Sequence, residues 1–231
     1  MIKTIFILVG GRGTRLGDLT KKTPKPLLKF NKKVFLDYIL SNLISIKPKK
    51  IYLLCGYKSE LFFKKYHNKK IENTKIYCIK EKKLLGTGGS IFNSRNLITD
   101  YTLICNGDTY FEYNFKFLNK IKLNKKKLFL ICINNKNYKS NKKLANLSIK
   151  KTIVNFNKKS NLMNAGIYVI NRNFKKYLNK NIFSIENDVI ENLILSNKVI
   201  GKKINCFNLD VGTKKNYYKF QKISKNINLL I

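Results

Sequence analysis

An apolar run at 5–9 ends in Gly10-Gly11-Arg12-Gly13-Thr14-Arg15-Leu16, and this stretch constrains the chain more than any other. Residues 3–9 predict a buried strand. The three glycines within the next four residues let the backbone turn sharply and bring its N–H groups close to a bound anion. Two cations stand nearby. Arg15 can fork onto phosphate oxygens, and Lys25, in Pro24-Lys25-Pro26, supplies a compact point charge. A strand that runs into such a loop predicts an α/β fold whose loop cradles the phosphates of a nucleoside triphosphate.

Two better-known glycine loops do not fit. A dinucleotide loop would carry glycine where Arg15 stands, and Gly17 comes two residues late. Cys55-Gly56 ends the second apolar run, where such a fold needs an acid for the ribose. A Walker loop would follow Gly13 with Lys and then Ser or Thr, but Thr14-Arg15 follows it.

Apolar periodicity extends the pattern. Phe35, Leu36, Ile39, Leu40, Leu43 and Ile44 fall on one face of a helix over 35–46, closed by Pro48. Residues 51–55 read as a second strand, 59–66 as a short helix and 75–79 as a third strand. Gly86-Thr87-Gly88-Gly89 opens a helix to about residue 97, and 101–105 is a fourth strand that stops at Asn106-Gly107-Asp108. This β-α-β-α-β-α-β order predicts a parallel sheet with helices on both faces. Beyond Asp108 the regularity weakens. Residues 115–123, 173–180 and 185–196 suit helices; 128–133, 147–149, 152–156 and 164–170 suit strands; 134–160 is polar and lysine-rich. Residues 204–209 read as a strand ending at Asp210, and Gly212-Thr213 opens a last helix. No linker marks a second domain, so residues 1–231 are expected to form one. Gly10, Gly56, Asp108 and Asp210 each follow a predicted strand, where open sheets bind ligands, and are expected at one rim.

Composition excludes several classes. With 44% apolar residues, 15 Phe and 13 Tyr, the chain can bury a large core. It has no uncharged apolar run of about 18 residues, so no membrane partner is expected. The N-terminal apolar run leads straight into the glycine loop, which suits a first strand better than a signal peptide; the expected location is the cytoplasm. The five cysteines form no C-x-x-C pair and read as buried, reduced thiols. His67, between Lys65 and Lys69, gives little support to a zinc site or a histidine base. The net charge of +36 is spread along the chain, carried by Lys far more than Arg, and accompanied by abundant Asn and Ile. That mixture reads as AT-rich codon bias and not as a specific nucleic-acid interface.

Against this basic background, Asp108 and Asp210 stand out. Hard carboxylate oxygens suit Mg²⁺, and an ion between them would bridge an acceptor phosphate and the α-phosphate of a nucleotide. The bland alternative is that both cap turns or helices.

The ordered set of motifs resembles the sugar-phosphate nucleotidyltransferases. The resemblance rests on the glycine loop with Pro24-Lys25-Pro26-Leu27, on Glu81, Leu85-Gly86-Thr87-Gly88-Gly89 and Asn106-Gly107-Asp108, and on Asn164-Ala165-Gly166-Ile167-Tyr168 and Asp210-Val211-Gly212-Thr213. It covers nearly the whole chain. It implies a Rossmann-like three-layer nucleotidyltransferase fold with a mostly parallel mixed sheet. The nucleotide-binding half would span about 1–110 and the sugar-binding half about 111–231. The implied reaction transfers NMP from NTP to a sugar 1-phosphate and releases pyrophosphate. By this resemblance Gly10 and Gly11 contact the base, and Gly13, Thr14 and Arg15 the phosphates. Lys25 steadies the α-phosphate and the leaving pyrophosphate, and Gly86 and Thr87 complete the base and ribose pocket. Asp108 and Asp210 hold Mg²⁺. Asn164 and Gly166 face the sugar, with Lys158 on its phosphate. Asn157-Lys158 stands where the family has Glu-Lys. Ser184-Ile185-Glu186-Asn187-Asp188 resembles the family's S-x-E-x-D and also reads as an N-cap with first-turn acids.

The Leu-Val-Gly-Gly and Leu-Gly-Thr-Gly-Gly forms look most like guanylyltransferases acting on mannose 1-phosphate or D-glycero-D-manno-heptose 1-phosphate, which implies GTP and a role in lipopolysaccharide or capsule synthesis. Thymidylyl-, cytidylyl- and uridylyltransferases share much of the pattern. The β-helix extension of longer relatives is not expected here, which removes acetyltransfer and that route to oligomers; a homo-oligomer by another route stays open. Two readings from other classes compete: a non-catalytic nucleotide-sugar-binding regulator, which would lose the loop Arg, the Lys or an Asp, and a nucleic-acid binder.

Overall fold

A computed structural model describes residues 1–134, 144–179 and 181–229. β1 (Thr4–Leu8) opens the chain, and the glycine loop leads from it into two 3-10 turns, Thr14–Thr20 and Lys25–Leu27. A short ribbon, β2 (Lys29–Phe30) and β3 (Lys33–Val34), precedes α1 (Phe35–Ile44). Next come β4 (Lys50–Cys55), α2 (Ser59–Tyr66), β5 (Lys70–Ile71) and β6 (Thr74–Lys80). α3 (Gly86–Asn93), β7 (Thr102–Asn106) and β8 (Thr109–Phe111) follow. The remainder holds β9 (Leu128–Asn134), β10 (Ala145–Lys150), β11 (Ile153–Phe156), β12 (Leu162–Ile170), α4 (Glu191–Leu195), β13 (Val199–Lys203), β14 (Asn208–Asp210) and α5 (Lys214–Ile223). Among the described residues no helix is long and apolar enough to cross a membrane.

The chain divides into two compact units, each assembled from separated segments. One takes Met1–Phe6, Leu85–Cys105 and Lys120–Asn205; the other takes Ile7–Leu84, Asn106–Asn119 and Cys206–Ile231. In the first, the strand order is β10-β11-β13-β9-β12-β7, then the first residues of β1. β12 is antiparallel to both β7 and β9, whereas β13 runs parallel to β9. In the second, the end of β1 is followed by β4, β6 and β5. Here β4 and β6 are parallel, from Lys50 opposite Lys75 to Cys55 opposite Lys80. The fold is therefore α/β with a mixed sheet, as expected.

The second unit also contains the pairing that matters most for chemistry. β14 lies antiparallel to β8, with Asp210 opposite Thr109. α5 anchors this ribbon. Thr213 caps the helix by accepting from Asn216 N at 3.2 Å, and Asn216 Nδ2 donates to the Asp210 carbonyl at 2.7 Å. Phe220 of α5 is fully buried, with ring centroids 4.8 Å from both Phe30 and Phe35 and 5.4 Å from Tyr110. Truncating it would leave a cavity that its neighbours cannot fill. Phe220→Ala is expected to cost about 3–5 kcal/mol in urea denaturation, the usual range for a buried phenylalanine.

Several expected elements differ in kind or position. Of the strand expected at 204–209 only the end is strand, as the short β14, and the unexpected β13, at Val199–Lys203, precedes it. Gly201-Lys202-Lys203 is a poor strand sequence, but β13 is held between β11 and β9. Gly201 sits so close to β9 that a Cβ there would lie 2.7 Å from the Leu130 carbonyl oxygen. The segments at 115–123 and 173–180 form 3-10 turns, Phe115–Lys120 and Arg172–Tyr177. The helix expected over 185–196 is a π turn, Glu186–Ile190, running into α4. Part of the lysine-rich stretch at 134–160, and residue 180, lie outside the described residues.

All five cysteines are free thiols; four are buried and Cys206 is half-buried. Burial pushes Cys105 and Cys132 up to about 12. His67 has a structural part: its Nδ1 accepts from Cys78 N at 3.1 Å, and its ring stacks on Phe63.

Candidate active site

The glycine loop is shaped from within the second unit. Gly13 has φ +68°, a left-handed conformation that disfavours a side chain. Its carbonyl accepts from Leu16 N and from Thr20 Oγ1, both at 3.0 Å. Leu16 and Thr20 are buried, and Gly11, Arg12, Thr14 and Arg15 are left exposed at the loop surface. Gly10 is half-buried against Glu81: a Cβ at Gly10 would lie 3.1 Å from the Glu81 carboxylate oxygen.

Three residues remote in sequence meet beside this loop. Lys25 is only 8% exposed, and its Nζ donates to Asp108 Oδ2 at 2.7 Å. The same Nζ is 3.7 Å from Asp210 Oδ1. Arg15, whose side chain is 59% exposed, brings a guanidinium nitrogen to 3.8 Å from Asp210 Oδ2. Local chemistry accounts for the convergence. Lys25 begins a 3-10 turn behind Pro24, Asp108 follows β7 in the turn to β8, and the β8–β14 register brings Asp210 alongside; Val211 N donates to the Asp108 carbonyl at 3.0 Å.

Two cations, Lys25 and Arg15, face this carboxylate pair, yet one of its oxygens is left without a hydrogen bond. Asp210 Oδ1 is buried and has no hydrogen-bond partner. Burial first, and then the charge of Asp108, push the Asp210 carboxyl above its ordinary range; Lys25, Arg15 and the Gly212 N–H pull the other way without prevailing. A desolvated carboxylate oxygen without a hydrogen bond, beside a second carboxylate, could hold a cation. Its hard oxygen donors suit Mg²⁺ better than a thiophilic metal. Among the described residues no group of three or more His, Cys, Asp or Glu side chains is arranged to hold a metal. An ion here would thus complete its shell from water and ligand oxygens.

The first unit gathers a second set. Gly86 has φ +73° and starts α3, where a Cβ would lie 2.5 Å from the Phe183 carbonyl oxygen. That carbonyl accepts from Gly88 N at 3.0 Å, and Phe183 N donates to the Leu85 carbonyl at 3.1 Å. Thr87 Oγ1 donates to Glu186 Oε2 at 2.6 Å. Asn164 lies where β12 shifts register against β9, a bulge that also contains Gly166 at φ +72°. Asn164 Oδ1 accepts from Gly166 N at 2.7 Å, and its Nδ2 donates to Tyr168 OH at 2.7 Å. Tyr168 OH in turn donates to Glu186 Oε1 at 3.0 Å. Lys158 is exposed in the turn between β11 and β12.

Arg15, Lys25, Asp108 and Asp210 therefore come together in one unit, and Thr87, Asn164 and Gly166 in the other. Sequence reasoning undervalued Glu186. Asp188 does what a first-turn acid should, accepting from Ser184 N at 2.8 Å, but Glu186 turns to Thr87, Ser184 and Tyr168. The S-x-E-x-D spacing was the available signal.

Residues 4–226 match the family described as nucleotidyl transferase. The D-glycero-alpha-D-manno-heptose 1-phosphate guanylyltransferase of Campylobacter jejuni is 32% identical over 223 residues, covering 93% of this chain and 97% of that protein. The bifunctional protein GlmU of Methanococcus maripaludis is 30% identical over 224 residues, 90% of this chain and 51% of the relative, so the chain spans about half its length. Among solved structures, HddC from Yersinia pseudotuberculosis matches with a TM-score of 0.77 at 25% identity, over 96% of this chain and 99% of that one.

Proposed function

The chain belongs to the nucleotidyl transferase family, and from that premise we propose that it transfers a nucleoside monophosphate from NTP to a sugar 1-phosphate. The observation that carries this reading is Lys25 held between Asp108 and Asp210 beside an anion-shaped glycine loop. A phosphate oxygen of the sugar 1-phosphate attacks the α-phosphorus, a new P–O bond forms there, and the bond to the β-phosphate oxygen breaks to release pyrophosphate. Such a transfer needs in-line placement and charge neutralisation more than covalent help.

Gly10, Gly11, Gly13 and Thr14 line the nucleotide in this reading, and Gly86 and Thr87 serve its base and ribose. Arg15 lies on the outer phosphates. Lys25 exchanges its carboxylate partner for the α-phosphate and the departing pyrophosphate. Asp108 and Asp210 hold Mg²⁺, which supplies Lewis-acid polarisation of the phosphates when bound. Asn164 and Gly166 face the sugar, and Lys158 its phosphate. The name of the Campylobacter jejuni relative favours GTP and a heptose 1-phosphate. Supply of those substrates fits a cytoplasmic enzyme of lipopolysaccharide or capsule synthesis.

The test is pyrophosphate release with each NTP, Mg²⁺ and a panel of sugar 1-phosphates. GTP with heptose or mannose 1-phosphate is expected to give the fastest release, and EDTA to stop it. Release with UTP, CTP or dTTP alone would correct the base. Nucleotide binding without release under any combination would favour the non-catalytic regulator.

A further inference from the structure

Three hydroxyls converge on Glu186. Its Oε2 accepts from Thr87 Oγ1 at 2.6 Å and from Ser184 Oγ at 2.9 Å; its Oε1 accepts from Tyr168 OH at 3.0 Å. These residues come from three places: the start of α3, the segment before the π turn, and β12. The Asp108–Asp210 chemistry makes no use of this carboxylate.

Its effect is to set direction. A carboxylate only accepts, and each hydroxyl has a single proton to give. With that proton aimed at Glu186, each oxygen is left to accept from elsewhere. Thr87 Oγ1 takes the Ile185 N–H at 3.0 Å, and Tyr168 OH takes Asn164 Nδ2 at 2.7 Å. Asn164 is then fixed as well: with Nδ2 turned to Tyr168, its Oδ1 is the atom that accepts from Gly166 N at 2.7 Å. Tyr168 is fully buried, and burial together with the Glu186 charge pushes its phenol well above the ordinary range, so it remains a donor. One charge thereby determines which way a helix hydroxyl and a strand amide face.

We propose that Glu186 is a positioning residue that orients Thr87 and Asn164 together, so that one carboxylate sets the affinity for both the nucleotide and the sugar phosphate. This rests on the reading above, in which Thr87 serves the nucleotide and Asn164 the sugar.

Two measurements test it. In steady-state kinetics, Glu186→Ala is expected to raise KM for NTP and for sugar 1-phosphate by about tenfold each, the scale of one lost oriented hydrogen bond per ligand, with kcat changed less than KM. Tyr168→Phe breaks only the branch to Asn164 and is expected to raise the sugar-phosphate KM alone. A rise in only one KM for Glu186→Ala, or in neither, overturns the proposal. Should Glu186→Ala fail to fold, Glu186→Gln keeps the shape. Its amide can accept from only one of the two branches, so one KM rises, and two unchanged values overturn the proposal. The second measurement needs no turnover. The Asn164 side-chain amide signal in a ¹⁵N-labelled sample, identified by its loss in Asn164→Asp, is expected to shift in both Glu186→Ala and Tyr168→Phe. An unmoved signal in either variant overturns the proposal. If the unaltered protein transfers no nucleotide to any sugar 1-phosphate, the reading of the function falls, and the amide signal alone decides the role of Glu186.

Discussion

Asp108→Asn is expected to lower turnover by on the order of 10²–10³-fold, the scale on which losing one charge-stabilising group acts. The amide has nearly the shape of the carboxylate and can still accept from Thr109 Oγ1, which lies 3.2 Å from Asp108 Oδ1. The β8–β14 ribbon is held by backbone pairing and by α5, so the fold is expected to survive. What is lost is a negative charge 2.7 Å from Lys25 Nζ and half of the carboxylate pair. Pyrophosphate release and a thermal melt on the same sample separate the two effects. Near-normal turnover would remove Asp108 from the proposed metal site. Asp210→Asn is expected to behave alike, and the double variant to be little worse than either single one, because groups that act as a unit are not additive.

Lys25→Ala is expected to lose turnover on a similar scale and to lower stability as well. The ammonium is the near neighbour of both carboxylates, at 2.7 and 3.7 Å. Without it Asp108 and Asp210 face each other with Arg15 as the remaining charge partner at 3.8 Å. Breaking a buried pair by removing one partner costs about 3–5 kcal/mol. The aspartate side chains are 32% and 24% exposed, so water softens the loss, and about 1–3 kcal/mol is a better expectation. Added Mg²⁺ is expected to raise the melting temperature of Lys25→Ala more than that of the unaltered protein, because the ion would take the place that Lys25 leaves. An equal rise in both proteins would count against Lys25 as the stand-in for a cation.

The early strands and helices were legible because their apolar periodicity is strong and uninterrupted. α2 matches the segment 59–66 read from the sequence, β4 begins one residue before its expected span, and β6 is one residue longer at each end. β13 was not legible, because Gly201-Lys202-Lys203 has no strand propensity of its own and is held by its neighbours. The carboxylate pair was legible as two acids against a basic chain, yet no spacing rule foretold that Lys25 would lie between them. Glu186 was harder. On a helix start an acid is ordinarily a first-turn charge, and only the fold, by bringing β12 and the α3 loop to the same carboxylate, gives it another use.

The β8–β14 ribbon has a consequence for how the protein comes into being. Asp108 emerges before its partner Asp210, which lies 102 residues later, on a strand secured by the helix after it. Contacts of such long sequence separation form late, after much loop entropy has been overcome. A ribosome-bound chain short of Asn208 would carry Lys25 and Asp108 without the second carboxylate. The proposed metal site would thus be assembled only once β14 and the helix after it have been made.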